Sequence, residues 1–140
     1  MEQQAGISTN KNFDIPIRSY AYIGDAVYEI FAREKIIYLT SKPEKLHKIA
    51  TSIVNSEFQA DLIEKIQDFL NQEEKEIIRR ARNLSVTTAR RTNQKLHRLS
   101  TAFEALIGYL YLNNPDRLKD LYDYINPLIH DKIDLFNKIN

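Results

Sequence analysis

Apolar residues recur at helical spacing along most of this chain. From about Ile17 to Leu39, the residues Tyr20, Ile23, Val27, Ile30 and Phe31 fall on one stripe, which predicts a first helix. Lys42-Pro43 opens a second, since Pro is tolerated in a first turn, and Leu46, Ile49, Ala50, Ile53 and Val54 keep the i, i+3, i+4, i+7 rhythm. Phe58, Leu62, Ile63, Ile66, Phe69 and Leu70 form a third amphipathic segment, with Ser56 in position to cap it. Asn71 ahead of "QEEKEIIRRARN", with Glu74 spaced for a capping box, predicts a fourth. The run "LSVTTARRTN", Leu84 to about Asn93, is polar and β-branched without apolar period and reads as a mobile loop. A fifth helix is expected from about Leu96 to Asn113. Asn114-Pro115-Asp116 opens a sixth, and Asn126-Pro127 should break it ahead of a last helix through Ile133 and Phe136. Residues 1–15 read as a flexible tail and 16–140 as a single all-α domain, a helical bundle without internal repeats.

Composition supports that architecture. A chain of 140 residues suits one domain and can bury roughly two-thirds of its unfolded surface. Only three Gly and four Pro, with 43% hydrophobic and 28% charged residues, favour helices over a loop-rich sandwich. The lack of Cys excludes disulfide frameworks, thiol nucleophiles and Cys-based zinc sites, and suits a reducing compartment. The N-terminal "MEQQAGISTNKNFDIP" has no apolar segment, and no apolar run reaches about 18 residues, so a soluble protein without a membrane partner is expected. The net charge of +1 is uninformative as a total, and only its distribution matters.

Two acids interrupt the apolar pattern. Asp25 stands in "YIGDAVYEIF", and Glu104 is the only charge in "TAFEALIGYLYL". Helix five is apolar on every side from Ala102 to Leu112, the pattern of a helix at the centre of a bundle, so Glu104 is expected to be buried. Burying a carboxylate costs several kcal/mol unless it is compensated, so each acid calls for a partner. Thr101, Ala105, Gly108 and Leu112 share the face of Glu104, and Ala21, Gly24, Tyr28 and Ala32 flank Asp25. Small residues on both helices would let the backbones approach and bring the carboxylates together. Two bare carboxylates repel unless a shared proton or a divalent ion joins them, and hard oxygen ligands favour Mg²⁺ or Mn²⁺. The plainer alternative makes each acid a rim residue paired with a cation such as Arg33 or Arg98. Glu29, one turn beyond Asp25, points toward the polar edge and reads as solvated.

Positive charge is concentrated ahead of Glu104. Seven of the twenty Lys and Arg fall between Arg79 and Arg98: Arg79, Arg80, Arg82, Arg90, Arg91, Lys95 and Arg98. No Asp or Glu lies between Glu76 and Glu104. Such a segment is the footprint of a polyanionic partner, with a solvated helix face as the plainer reading, and it would set binding next to chemistry. Asn83, Thr87, Thr88 and Thr92 add neutral donors for phosphate and ribose hydroxyls. With glycines only at 6, 24 and 108, the chain has no nucleophile elbow, P-loop or dinucleotide fingerprint. His47, His97 and His130 lack metal-ligand spacing and read as surface or core-edge residues.

"YIGDAVYE" and "TAFEALIGYLYL" together resemble the nuclease domain of the ribonuclease III family, whose signature pairs an L-G-D-A helix with a later F-E-A-L-I-G helix. "KLHKIATSIVNSEFQA", "EEKEIIRRARN" and "STAFEALIGYLYL" are similar, in order, to its short branch, Mini-ribonuclease III, which lacks a double-stranded-RNA-binding domain. The likeness spans roughly Ser19 to Tyr124. It implies a homodimeric, Mg²⁺-dependent endonuclease of double-stranded RNA with one site per subunit and the duplex across the dimer. Asp25 and Glu104 match the family's catalytic, metal-coordinating positions. Two further acids of the full-length enzymes are replaced here by Ala21 and Thr101, as in the short branch. Water and RNA phosphates must then complete the ion's shell, and metal affinity without RNA should be weak.

These lines converge on a ribonuclease III-type nuclease in which metal held by Asp25 and Glu104 polarises a phosphate and activates water, without a side-chain general base. Arg79, Arg80, Arg82, Asn83, Arg90, Arg91, Lys95 and Arg98 would hold the duplex by its backbone, and the Leu84 to Asn93 loop would carry any sequence preference. The short branch implies precursor large-subunit ribosomal RNA as substrate, in a bacterial cytoplasm or an organelle that encodes its own proteins. Two-fold symmetry suggests a dimer surface near Tyr20, Tyr22, Tyr28 and Tyr109. The alternatives are a non-catalytic double-stranded-RNA-binding scaffold that keeps the fold, and a helical protein-interaction bundle.

Overall fold

The computed structural model describes residues 15–84 and 91–139, the side chains of residues 91 and 92 excepted. Among these residues the secondary structure is helical: α1 Ile17–Ile36, α2 Pro43–Val54, α3 Ser56–Lys65, α4 Gln72–Arg82, α5 Arg91–Asn113 and α6 Pro115–Ile139.

Local chemistry explains most of the boundaries. The buried stripe of α1 ends at Ile36, so the helix stops short of the expected Leu39, whose N–H turns back to the Ile36 carbonyl at 2.9 Å. Pro43 occupies the first turn of α2 as expected. The cap of α3 is Asn55 and not Ser56: Asn55 has extended backbone, and its side chain accepts from the Phe58 N–H at 2.8 Å, whereas Ser56 is already helical. Ile66 and Leu70 fall in the turns that follow α3, yet both are buried. At α4 the capping box is complete, with Asn71 and Glu74 each accepting from the other's backbone N–H at 2.9 Å.

Two expectations are overturned. α5 begins at Arg91, five residues ahead of the predicted Leu96. Apolar periodicity is blind to the polar residues Arg91, Gln94 and Lys95, which are good helix formers. Of the segment read as a mobile loop, positions 85–90 lie outside the described residues. The second correction is at Pro127, which sits inside a continuous α6. Leu118, Leu121, Ile125, Ile129 and Ile133 maintain one buried stripe past it, while Pro127 itself is exposed. Burial of that stripe outweighs the roughly 3 kcal/mol that proline costs within a helix.

α5 is the hub. It contacts α1, α3, α4 and α6, and α1 is its most extensive neighbour. Ala102, Phe103, Ala105, Leu106 and Ile107 are fully buried, as its all-round apolar character requires, whereas Tyr111 and Leu112 at its end are exposed. Polar ties fix the surrounding helices. The Tyr28 hydroxyl donates to the Ile53 carbonyl at 2.7 Å, joining α1 to α2. From α6, Arg117 donates to both Glu74 carboxylate oxygens at 2.7 and 2.8 Å and to the Phe69 carbonyl at 2.8 Å, with its guanidinium 3.8 Å from the Phe69 ring centroid. Among the described residues no helix is long and apolar enough to cross a membrane.

Candidate active site

α1 and α5 meet at two glycines. A Cβ on Gly24 would lie 1.7 Å from the Glu104 carbonyl oxygen, and one on Gly108 would lie 1.9 Å from that of Tyr20. Only hydrogen fits at either point, so the two backbones touch, as the small residues predicted. Asp25 directly follows Gly24, and Glu104 precedes Gly108 by about one turn. The contact therefore brings the two acids together, and their carboxyl groups share a hydrogen bond.

The depth of the pair differs from expectation. Glu104 is half-buried and Asp25 is exposed. One residue advances the helix by about 100°, so the step from buried Gly24 carries Asp25 out of the contact toward solvent. Asp25 thus lies in an open depression and not in a sealed interior site, and Glu104 is not among the residues that line it. Tyr22, Asp25, Ala26, Glu29 and Arg33 line it, with a volume of about 450 Å³.

Burial, followed by repulsion from Asp25, pushes the Glu104 carboxyl up to about 7, and Glu29 adds to the effect. A hydrogen bond from the Gln59 amide acts in the opposite sense. Rim cations do not neutralise the pair in the way the plainer reading supposed: the Arg33 Nε donates to Glu29 at 3.0 Å, and the Arg98 Nε is buried without a partner. Two adjacent hard-oxygen donors, one driven toward protonation by the other and open on one side, suit a divalent cation of the Mg²⁺ or Mn²⁺ type. Among the described residues no group of three or more His, Asp or Glu could hold a metal, so the protein would supply two ligands and water or phosphate the remainder.

Gln59 escaped the sequence reading. It is 3% exposed on α3, in line with Leu62, Ile63 and Ile66. A polar residue on an apolar face is the same signal that exposed Asp25 and Glu104, and it was available.

The basic residues form a second feature. A groove of about 500 Å³ between α4 and the start of α5 is lined by Arg79, Arg82, Asn83, Lys95 and Arg98, joined by Gln67 and Lys75, which were not predicted. Arg80 is half-buried and does not line it. Arg90 lies outside the described residues, as do Thr87 and Thr88, and Arg91 begins α5. The Arg79 guanidinium is engaged by Glu76 at 2.6 and 3.0 Å. Nearness in sequence does not make the groove adjoin the acid pair. Arg98 stands about 9 Å along the axis and about 120° around α5 from Glu104, and Lys95 about 13 Å along it and half a turn around. The groove and Glu104 share a helix but not a face. His47, His97 and His130 are exposed, as expected.

Comparison with known proteins identifies the family. The family model described as Ribonuclease III domain matches residues 18–115. The Mini-ribonuclease 3 of Thermoanaerobacter sp. (strain X514) is 42% identical over 106 residues, covering 74% of this chain and 75% of that protein. That of Clostridium tetani is 45% identical over 105 residues, covering 72% and 70%. Among solved structures, a protein of Fusobacterium nucleatum superposes with a TM-score of 0.72 at 28% identity, over 80% of this chain and 93% of that one. The chain belongs to the ribonuclease III family of endoribonucleases, in its Mini-ribonuclease 3 branch.

Proposed function

We propose that this chain is a divalent-metal-dependent endonuclease of double-stranded RNA, using Mg²⁺ or Mn²⁺, that matures precursor large-subunit ribosomal RNA in a bacterial cytoplasm. The observation that carries this reading is the junction of Gly24 with Glu104, which sets Asp25 and Glu104 side by side at an open surface. Asp25 and Glu104 would hold the ion, which when bound supplies Lewis acidity to a phosphate and lowers the pKa of water. The chain's own residues do the remaining work. The rigid α1–α5 contact orients the carboxylates, and Gln59 helps to keep Glu104 ionised. Lys75, Arg82, Lys95 and Arg98 offer a cationic groove to the RNA backbone away from the cutting position.

Activity as a homodimer is part of the proposal, with a revised surface. Tyr20 and Tyr28 are buried within the protomer, against Tyr109 and Phe103 respectively, and cannot form an interface. Tyr22 is 84% exposed and Ile30 58%, and with exposed Ala26 between them they make an apolar stripe at helical spacing beside Asp25. A second copy packed on this stripe by a two-fold axis would place two acid pairs along one valley.

The test is cleavage of a structured RNA duplex in Mg²⁺ by the parent, Asp25→Asn and Glu104→Gln. Cutting by the parent alone, with duplex binding retained by both variants, supports the proposal. Equal cutting by the variants removes the metal site, and binding without cutting by the parent makes the protein a scaffold.

A further inference from the structure

Gln59 is a buried amide whose placement the helix packing does not require. It lies on the apolar face of α3, at 3% exposure, where Leu or Met would fill similar space and bury more apolar surface. Its side chain is hydrogen-bonded to Glu104 on α5. The position is also held firmly. Asn55 caps α3 through the Phe58 N–H, and the Gln59 N–H bonds the Asn55 carbonyl at 3.1 Å, fixing the first turn from which the amide projects.

We infer that Gln59 is a positioning residue for the acid pair: its amide donates to the Glu104 carboxylate and orients it, with Asp25, to receive a divalent cation. This rests on the metal-site reading of Asp25 and Glu104. One carboxylate oxygen bound by a neutral donor can neither rotate freely nor turn its other lone pairs away from Asp25. A donor without charge does this and leaves the pair's negative charge intact for the ion. Lys or Arg in the same place would neutralise Glu104 and compete with the metal.

Gln59→Met keeps the volume and removes the donor. Its half-saturating Mg²⁺ for duplex cleavage should rise by about tenfold, as outer-shell substitutions do, with KM for the duplex within about twofold and the metal-free melting temperature retained. A second readout needs no turnover: in the metal-free parent, the side-chain amide NMR signal of Gln59 should move as Mg²⁺ is added and lose that response in Glu104→Gln. An unchanged Mg²⁺ requirement in Gln59→Met, with Asp25→Asn and Glu104→Gln inactive, overturns this inference and leaves the metal site standing. Full cutting by Asp25→Asn and Glu104→Gln overturns the metal site itself. If Gln59→Met does not fold, the parent's amide signal decides, and its indifference to Mg²⁺ rejects the role.

Discussion

Gly24 and Glu104 touch backbone to backbone, with room for hydrogen alone between them: a methyl group on Gly24 would stand 1.7 Å from the Glu104 carbonyl oxygen. The helices must separate to admit any side chain, and separation moves Asp25 away from Glu104. Gly24→Ala is therefore expected to lose about 3 kcal/mol or more of stability in urea unfolding, at or beyond the upper end of overpacking penalties. A loss below about 0.5 kcal/mol would contradict the closeness of this contact.

Glu104 also gives the metal-free protein a pH dependence of definite sign. Its carboxyl titrates at about 7 in the folded chain against an ordinary value of 4.5, so between those values the folded state binds more protons than the unfolded. This contribution to stability is complete below the ordinary value and is lost as pH rises through about 7. Melting temperatures without metal should fall over that interval, and Glu104→Gln should flatten the slope. Equal slopes in parent and variant would remove Glu104 as the cause.

Glu74 has the opposite sign. Burial raises its carboxyl, but the bonds from Arg117 and the Asn71 N–H outweigh burial and hold it below the ordinary carboxylate range. Its contribution is present above that range and disappears as pH falls through the depressed folded value. Removing Arg117 strands a carboxylate whose side chain is 1% exposed, so Arg117→Ala should cost about 3 kcal/mol at pH 7 by chemical unfolding, and less in acid. An Arg117→Ala penalty independent of pH would mean that lost packing on Phe69, and not charge, is the cause.

Pro127 lies exposed within α6, where it lacks a backbone donor. Pro127→Ala restores one helical hydrogen bond and should raise stability by about 1–2 kcal/mol, somewhat less than the full propensity difference because the unfolded chain gains freedom. Calorimetric melting of the pair decides it, and a destabilised variant would mean that the proline ring itself is needed for packing.

The cationic groove predicts a salt signature. Log affinity for duplex RNA should fall steeply and linearly with log salt, and Arg82→Ala and Lys95→Ala should each lower that slope by about one. Arg79→Ala should change it less, because Glu76 already engages that guanidinium. Slopes that ignore Arg82 and Lys95 would move the RNA path off the groove.

Periodicity and capping chemistry are local, so the sequence alone determined a helical bundle, the Asn71–Glu74 capping box and the central place of α5. Composition anomalies are local too: an acid in each of two apolar runs marked Asp25 and Glu104, and glycines at 24 and 108 forecast the close crossing. Burial depth was not legible, because it depends on the direction in which a side chain leaves a contact between segments far apart in the chain. Asp25 thus turned out exposed and Tyr20 and Tyr28 buried. Only tertiary packing could carry α6 through Pro127, where a long buried stripe overrides a local breaker. Only packing could also turn the basic residues of α5 away from Glu104 and bring Gln59, from a third helix, onto it. A periodic pattern states which residues leave water. It does not state which of them meet, because meeting is set by how whole faces fit.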